Sequence, residues 1–283
     1  MKSILITGAT DGVGKGLALH YLKNNYQVFA VGTSLAKAEL LQTEAKNLGK
    51  EENLQFLQAN LSLVSENRRV VDWITEKVDA LDGLILCAAS LKPQQSYIES
   101  KEGLEFTFAL YYGSRYVLSY ELKPLLDKAE QPFILNVAAP GMKGEVNWDD
   151  IQCKDNYNGQ SVQFHGSRLN DLLGVQFTQT DTIGKVRYIL FNPMAVRTPG
   201  AAKMFEGNGF GKKLGRLYYK LLGKDIEEIV EMITTHEQQT QSTGLHAFKQ
   251  TKAVPLSMST FDPEKAERLD RLTQSLFENI LNQ

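Results

Sequence analysis

Ser3-Ile4-Leu5-Ile6-Thr7-Gly8-Ala9-Thr10-Asp11-Gly12-Val13-Gly14 is the stretch that decides how this chain folds. The apolar run Ser3 to Ile6 reads as a strand and the glycine-rich turn follows at once. Leu17, Leu19 and Leu22 then give the next stretch an apolar helical face. Each glycine has its own physical task in such a turn. Gly8 permits a backbone reversal that a side chain would obstruct, Gly12 lets the main chain approach phosphates, and Gly14 lets the helix pack closely on the strand. The helix N-terminus adds N–H groups and the positive end of its dipole, both of which favour an anion. Glycines alone would describe an ordinary surface turn; with a strand before them and a helix after them they point to a dinucleotide pyrophosphate.

Outward from that turn, strands alternate with helices. Strands are expected at Ser3–Thr7, Gln27–Val31, Leu54–Ala59, Leu84–Cys87, Phe133–Val137, Val186–Phe191 and Leu245–Phe248. Helices are expected near 13–23, 35–48, 65–78, 102–127, 161–179, 225–240 and 263–281. This rhythm predicts an α/β fold: a Rossmann-type doubly wound parallel sheet of about seven strands in a three-layer α/β/α arrangement. Ligands in such sheets lie beyond the carboxyl ends of the strands, so Gly8, Thr33, Asn60, Ala88, Ala139 and Pro193 should face one crevice.

Composition narrows the class. The 283 residues are 42% hydrophobic and 23% charged, enough for one sizeable core, and no compositional break argues against a single domain over 1–283. A net charge of −2 gives no reason to expect nucleic acid as a partner. Cys87 and Cys153 lie far from any metal spacing, and no metal is expected; they fit reduced thiols in a cytoplasmic protein. Met1 runs straight into the first strand, so no signal peptide is expected. No apolar run is long enough for a membrane span.

With these landmarks the chain resembles the short-chain dehydrogenase/reductase family over nearly its whole length. The resemblance rests on Thr7 to Gly14, on Asn60-Leu61-Ser62, on Asn136-Val137, and on Asn192-Pro193-Met194-Ala195-Val196-Arg197-Thr198. Trp148-Asp149-Asp150-Ile151 followed by Tyr157-Asn158-Gly159 looks most like its retinol-dehydrogenase-type branch. The resemblance implies cofactor contacts from Gly8, Thr10, Asp11, Gly12, Val13 and Gly14 in the first turn. Further contacts are implied from Thr33, Ser34, Asn60, Leu61 and Ala88, and from Arg168, Pro193, Val196 and Thr198. It also implies a homo-oligomer built on the long fourth and fifth helices.

The same resemblance locates a chemical deficit. In the family a Tyr-x-x-x-Lys pair moves a proton while hydride passes to or from the nicotinamide. Aligned on Ser167, this sequence reads Phe164-His165-Gly166-Ser167-Arg168. A phenyl ring has no proton to give, and a guanidinium, though able to hydrogen-bond a ribose, cannot join a proton relay. The serine that polarises the substrate falls on Ala138-Ala139, and the relay asparagine falls on Tyr111. The glycine usual after Pro193 is Met194.

Tyr97-Ile98-Glu99-Ser100-Lys101 spells the missing motif in the wrong place, after the fourth strand, where it should cap or enter the next helix. His165 follows Phe164 on a helix and is expected at a surface or interface. His20, His236 and His246 carry no metal spacing. Tyr111 is the best substitute proton donor, with simple packing as its alternative. At the end of the second strand Gly32-Thr33-Ser34, with Lys37 nearby, offers hydroxyls and no acid, which favours NADP over NAD; Asp11 leans the other way. The cradle can also have lost its ligand altogether. The segment 199–224 mixes apolar and basic residues and should cover a small apolar ligand or substrate. Two readings remain: a redox-silent dinucleotide-binding scaffold, sensor or accessory protein, or an NADP-dependent oxidoreductase or non-redox enzyme with a non-standard proton source.

Overall fold

Ile4 and Ile6 point to one side of their strand and Leu5 to the other, and all three are fully buried, so the first strand is covered on both faces. The computed structural model describes residues 1–90, 92–142, 144–198, 215, 217 and 219–281. Strands β1 (Ser3–Thr7), β2 (Gln27–Gly32), β3 (Leu54–Gln58), β4 (Gly83–Leu86), β5 (Phe133–Val137), β6 (Arg187–Asn192) and β7 (Gly244–Lys249) form a parallel sheet. Their order is β3-β2-β1-β4-β5-β6-β7, and a two-residue β8 (Lys252–Ala253) pairs antiparallel with β7. The sheet thus has eight strands where about seven are expected from sequence. The order reverses between β1 and β4, which makes their carboxyl ends a topological switch point where a crevice opens.

Helices α1 (Gly12–Lys23) and α2 (Leu35–Asn47) cover one face. Helix α3 (Val64–Thr75) packs on the other. Helix α4 combines Phe106–Phe108, a π-helical turn at Ala109–Gly113, and Ser114–Glu121. With α5 (Gly159–Thr180) it completes that second layer, while α6 (Ile226–Gln239) joins α1. Helices α5 and α6 begin where the sequence supplies a cap: Asn158 accepts from the Ser161 N–H at 3.0 Å, and Asp225 with Glu228 forms a capping box on α6.

Helix α7 (Pro263–Leu281) lies along α4 and α5. Tyr112 Oη bonds Thr273 Oγ1 at 2.7 Å, Tyr116 Oη donates to Asp270 at 2.7 Å, and the Phe277 ring meets Tyr116 edge-on. The chain's own last helix thus packs against both of the helices on which a homo-oligomer is expected. Among the described residues no helix is long and apolar enough to cross a membrane. The expected cover at 199–224 falls largely outside the described residues.

Candidate functional site

The turn after β1 is built as the glycines require. Gly8 takes φ +66°, and a Cβ there would stand 3.0 Å from the Ala88 nitrogen and the Cys87 carbonyl carbon. Gly14 has no room either, since its Cβ would meet the Gly8 carbonyl oxygen at 2.3 Å. Gly12, at φ +52°, faces Thr198, whose methyl would lie 3.6 Å from an added Cβ. These three positions give a side-chain-free floor between β1, β4 and the loop after β6, a cradle whose shape fits a dinucleotide's phosphates.

Asp11 caps α1, accepting from the Gly12 N–H at 2.8 Å, and also pairs with Lys37. Partial burial works against its charge, but Lys37, the Gly12 N–H and Lys15 together outweigh this and hold the carboxyl below its ordinary value. An anion at this helix end must therefore share it with a carboxylate already there. Ser34 caps α2 through the Lys37 N–H, and the Thr33 carbonyl accepts from Gln58. Thr10 packs where a side chain on Gly32 would stand. Asn60 accepts from both Ser62 N–H and Ser62 Oγ, which turns the backbone after β3, and Leu61 is buried below it.

Arg168 on α5 meets Ala139 beyond β5. Phe164 is exposed, whereas Arg168 is buried and donates to the Ala139 carbonyl at 2.7 Å. The same guanidinium pairs with buried Asp171 at 3.1 Å, and Asp171 also accepts from the Gly141 N–H at 3.1 Å. Burial pushes the Asp171 carboxyl up to about 7 against the pull of Arg168 and Gly141. Arg168 thus serves as a strap between α5 and the loop after β5. Gly144 covers it from outside, with an added Cβ only 3.5 Å from Arg168 Cγ.

Tyr111 sits in the π-helical turn, an irregularity common at functional sites. Its hydroxyl lies 3.4 Å from Ser167 Oγ, and the Arg115 guanidinium stacks over its ring at 4.4 Å. Arg115 is wholly buried; it donates to the Asn136 side chain and, at 3.3 Å, to the Ala88 carbonyl, with no ion pair among the described residues. Sequence reasoning missed this residue, although a lone arginine four positions after Tyr111 on an apolar helix was a usable signal. His165 is buried rather than at a surface, because α5 is covered on nearly all sides; burial pulls it down to about 4.

The loop after β6 turns at Met194. Met194 adopts φ +59°, and its N–H bonds Asn192 Oδ1 at 2.8 Å. The Pro193 carbonyl accepts from Gln250, and Val196 bridges to Lys224. Tyr97-Ile98-Glu99-Ser100-Lys101 lies away from these groups: Ser100 caps the turn before Leu104, and Tyr97 bonds Glu99. Both cysteines are free, and burial raises Cys87 to about 12. Among the described residues no three His, Cys, Asp or Glu side chains cluster as a metal site would need.

Residues 2–149 match the short chain dehydrogenase family model, and the chain belongs to the short-chain dehydrogenase/reductase family, within its retinol-dehydrogenase-like branch. It is 24% identical over 281 residues to the Bos taurus dehydrogenase/reductase SDR family member 12, covering 97% of this chain and 86% of that protein. Human retinol dehydrogenase 14 is 26% identical over 186 residues, 61% of this chain and 54% of its own length. The chain spans 63% of the NmrA-like family domain-containing oxidoreductase notO of Aspergillus sp., at 23% identity over 213 residues, 73% of this chain. Among solved structures, the Sphingobium yanoikuyae short-chain dehydrogenase in complex with NADPH superposes with a TM-score of 0.62 at 16% identity. It covers 98% of this chain and 96% of that one.

Proposed function

We propose that this chain binds a nicotinamide dinucleotide, NADP in preference to NAD, and does not transfer hydride by the family's usual acid–base route. Gly8, Gly12 and Gly14 would cradle the pyrophosphate, with Thr10, Asp11 and Val13 flanking it. Thr33, Ser34 and Lys37 would receive the adenosine end, Asn60, Leu61 and Ala88 its ring and ribose, and Pro193, Val196 and Thr198 the nicotinamide end. A bound dinucleotide would supply a hydride; the proton must come from the protein.

The observation that carries the reading is the guanidinium at 168, already committed to Asp171 and the Ala139 carbonyl, in a chain whose positions 139 and 164 offer only a methyl and a phenyl. None of the three can release a proton at neutral pH. Such a protein would act as a ligand-dependent scaffold, sensor or accessory partner, with a small apolar ligand held beneath the 199–224 segment. Any pairing of chains would use a surface other than the one α7 covers. Calorimetric titration with NADPH and NADH tests the binding half: saturable NADPH binding, weaker for NADH, supports it, and no binding of either overturns it.

A second reading has its own observation. Tyr111 keeps a hydroxyl near Ser167 with the buried Arg115 cation over its ring, an arrangement able to stabilise developing phenolate charge. In that reading the chain is an atypical oxidoreductase on an apolar carbonyl or alcohol, and Tyr111→Phe abolishes turnover.

A further inference from the structure

Two side chains on one turn of α5 hold two residues of the chain beyond β5. Arg168 Nη2 donates to the Ala139 carbonyl at 2.7 Å and meets Asp171 Oδ2 at 3.1 Å, and the same Oδ2 accepts from the Gly141 N–H at 3.1 Å. One guanidinium nitrogen and one carboxylate oxygen thus link Ala139 to Gly141, in a place closed to water: Arg168 is 2% exposed and Asp171 0%. The other polar atoms of the pair take no part. Arg168 Nε and Nη1 and Asp171 Oδ1 are buried with no hydrogen-bond partner among the described residues.

Those idle atoms decide how the circuit opens. A proton added to Asp171 Oδ1 breaks no hydrogen bond, yet it removes the charge that balances the guanidinium, and a buried cation without a counter-charge is costly. Arg168 is tied through Nη2 alone, so few contacts must part for it to leave. The Ala139 carbonyl then loses its donor.

The surroundings set the direction of the effect. Burial raises the Asp171 carboxyl to about 7, against the lowering influence of Arg168 on the same helix, of the Gly141 N–H, and of the Thr260 hydroxyl in the turn Ser259–Phe261 that packs on α5. Tyr111 of α4 acts on Arg168, and His165, pulled down to about 4, stays neutral through this range. Losing Arg168 and the Gly141 N–H takes away two of the three groups that favour the carboxylate, while α5 and the Ser259–Phe261 turn still bury it. The open arrangement therefore holds the proton more tightly than the closed one, and acid favours opening.

We propose that Asp171 and Arg168 form a proton-released latch on Ala139 and Gly141, so that the crevice wall beyond β5 is fixed while Asp171 is ionised and loosens when it takes up a proton. The latch stands whether or not the crevice holds a dinucleotide.

Amide hydrogen exchange at Gly141, expressed as protection relative to the intrinsic rate at each pH, tests the latch in the natural chain and in Asp171→Asn, whose carboxamide oxygen can still accept from Gly141 but carries no charge. In the natural chain, protection at Gly141 should fall roughly tenfold between about pH 8 and about pH 5.5, the scale of one hydrogen bond to a charged group, while the amides of Ile4 to Ile6 in β1 keep theirs. In Asp171→Asn it should be low throughout, with no step. Protection at Gly141 that is flat or rises toward acid in the natural chain overturns the proposal, as does a step that survives in Asp171→Asn. Should Asp171→Asn fail to fold, the natural chain decides alone: a fall confined to the stretch around Gly141 supports the latch, and a fall shared with β1 overturns it.

Discussion

The Tyr111 ring lies directly against Gly166: a Cβ added at residue 166 would stand 2.7 Å from Tyr111 Cδ1, closer than packed carbon atoms approach. The bulky ring of Tyr111 on α4 is therefore accommodated by a missing side chain on α5. Gly166→Ala should destabilise the protein by about 1–3 kcal/mol through overpacking. Adding Tyr111→Asn should recover most of that loss, whereas Tyr111→Phe should recover none, because the ring remains. Urea midpoints of the natural protein, Gly166→Ala, Tyr111→Asn and the double variant complete the cycle, and additive losses would show that the two sites do not touch.

His165 makes stability depend on acid. Burial lowers it from the ordinary 6.5 to about 4, against the upward pull of Asp150. The unfolded chain thus takes up the proton first, so the stabilisation is complete above about pH 6.5 and is lost as pH falls from there toward 4. The full loss amounts to about 3 kcal/mol. His165→Leu should flatten the stability profile between pH 6.5 and 4.5; an unaltered slope would place the acid sensitivity elsewhere.

Met194 holds a left-handed backbone that favours glycine, at φ +59°. Met194→Gly should raise stability by about 1 kcal/mol, the usual relief for a non-glycine residue in that region. A thermal midpoint higher by roughly 2 °C would register it, and a lower midpoint would mean that the methionine side chain packs usefully.

The Asp11–Lys37 pair sets the charge where a dinucleotide's ribose phosphate would arrive. Both side chains are well exposed, so the effects are modest. Asp11→Asn should tighten NADPH binding several-fold with less change for NADH, and Lys37→Ala should weaken NADPH selectively. Equal responses of the two cofactors would detach this pair from cofactor choice.

Much of this architecture was legible in the chain because the signals were local. The β1 turn and the alternation of strands with helices follow from residue type and spacing. Strand β8 was not legible: two residues paired after a turn at Gln250 carry no periodicity. The expected helix at 102–127 starts only at Phe106, because Glu105 caps it through the Phe108 N–H, and it is broken by the π-helical turn. The positions 139, 164 and 168 drew notice only through the family resemblance. What Arg168 does instead was not legible, since nothing local says that its charge goes inward to Asp171 rather than outward to a ribose.

The most direct measurement follows absorbance at 340 nm in NADPH-saturated protein challenged with a panel of apolar aldehydes and ketones. The same assay is run on the combined Ala139→Ser, Phe164→Tyr, Arg168→Lys variant. The account predicts a flat trace from the natural chain and a substrate-dependent decay from the variant. Substrate-dependent decay from the natural chain, as fast as or faster than from the variant, would contradict it.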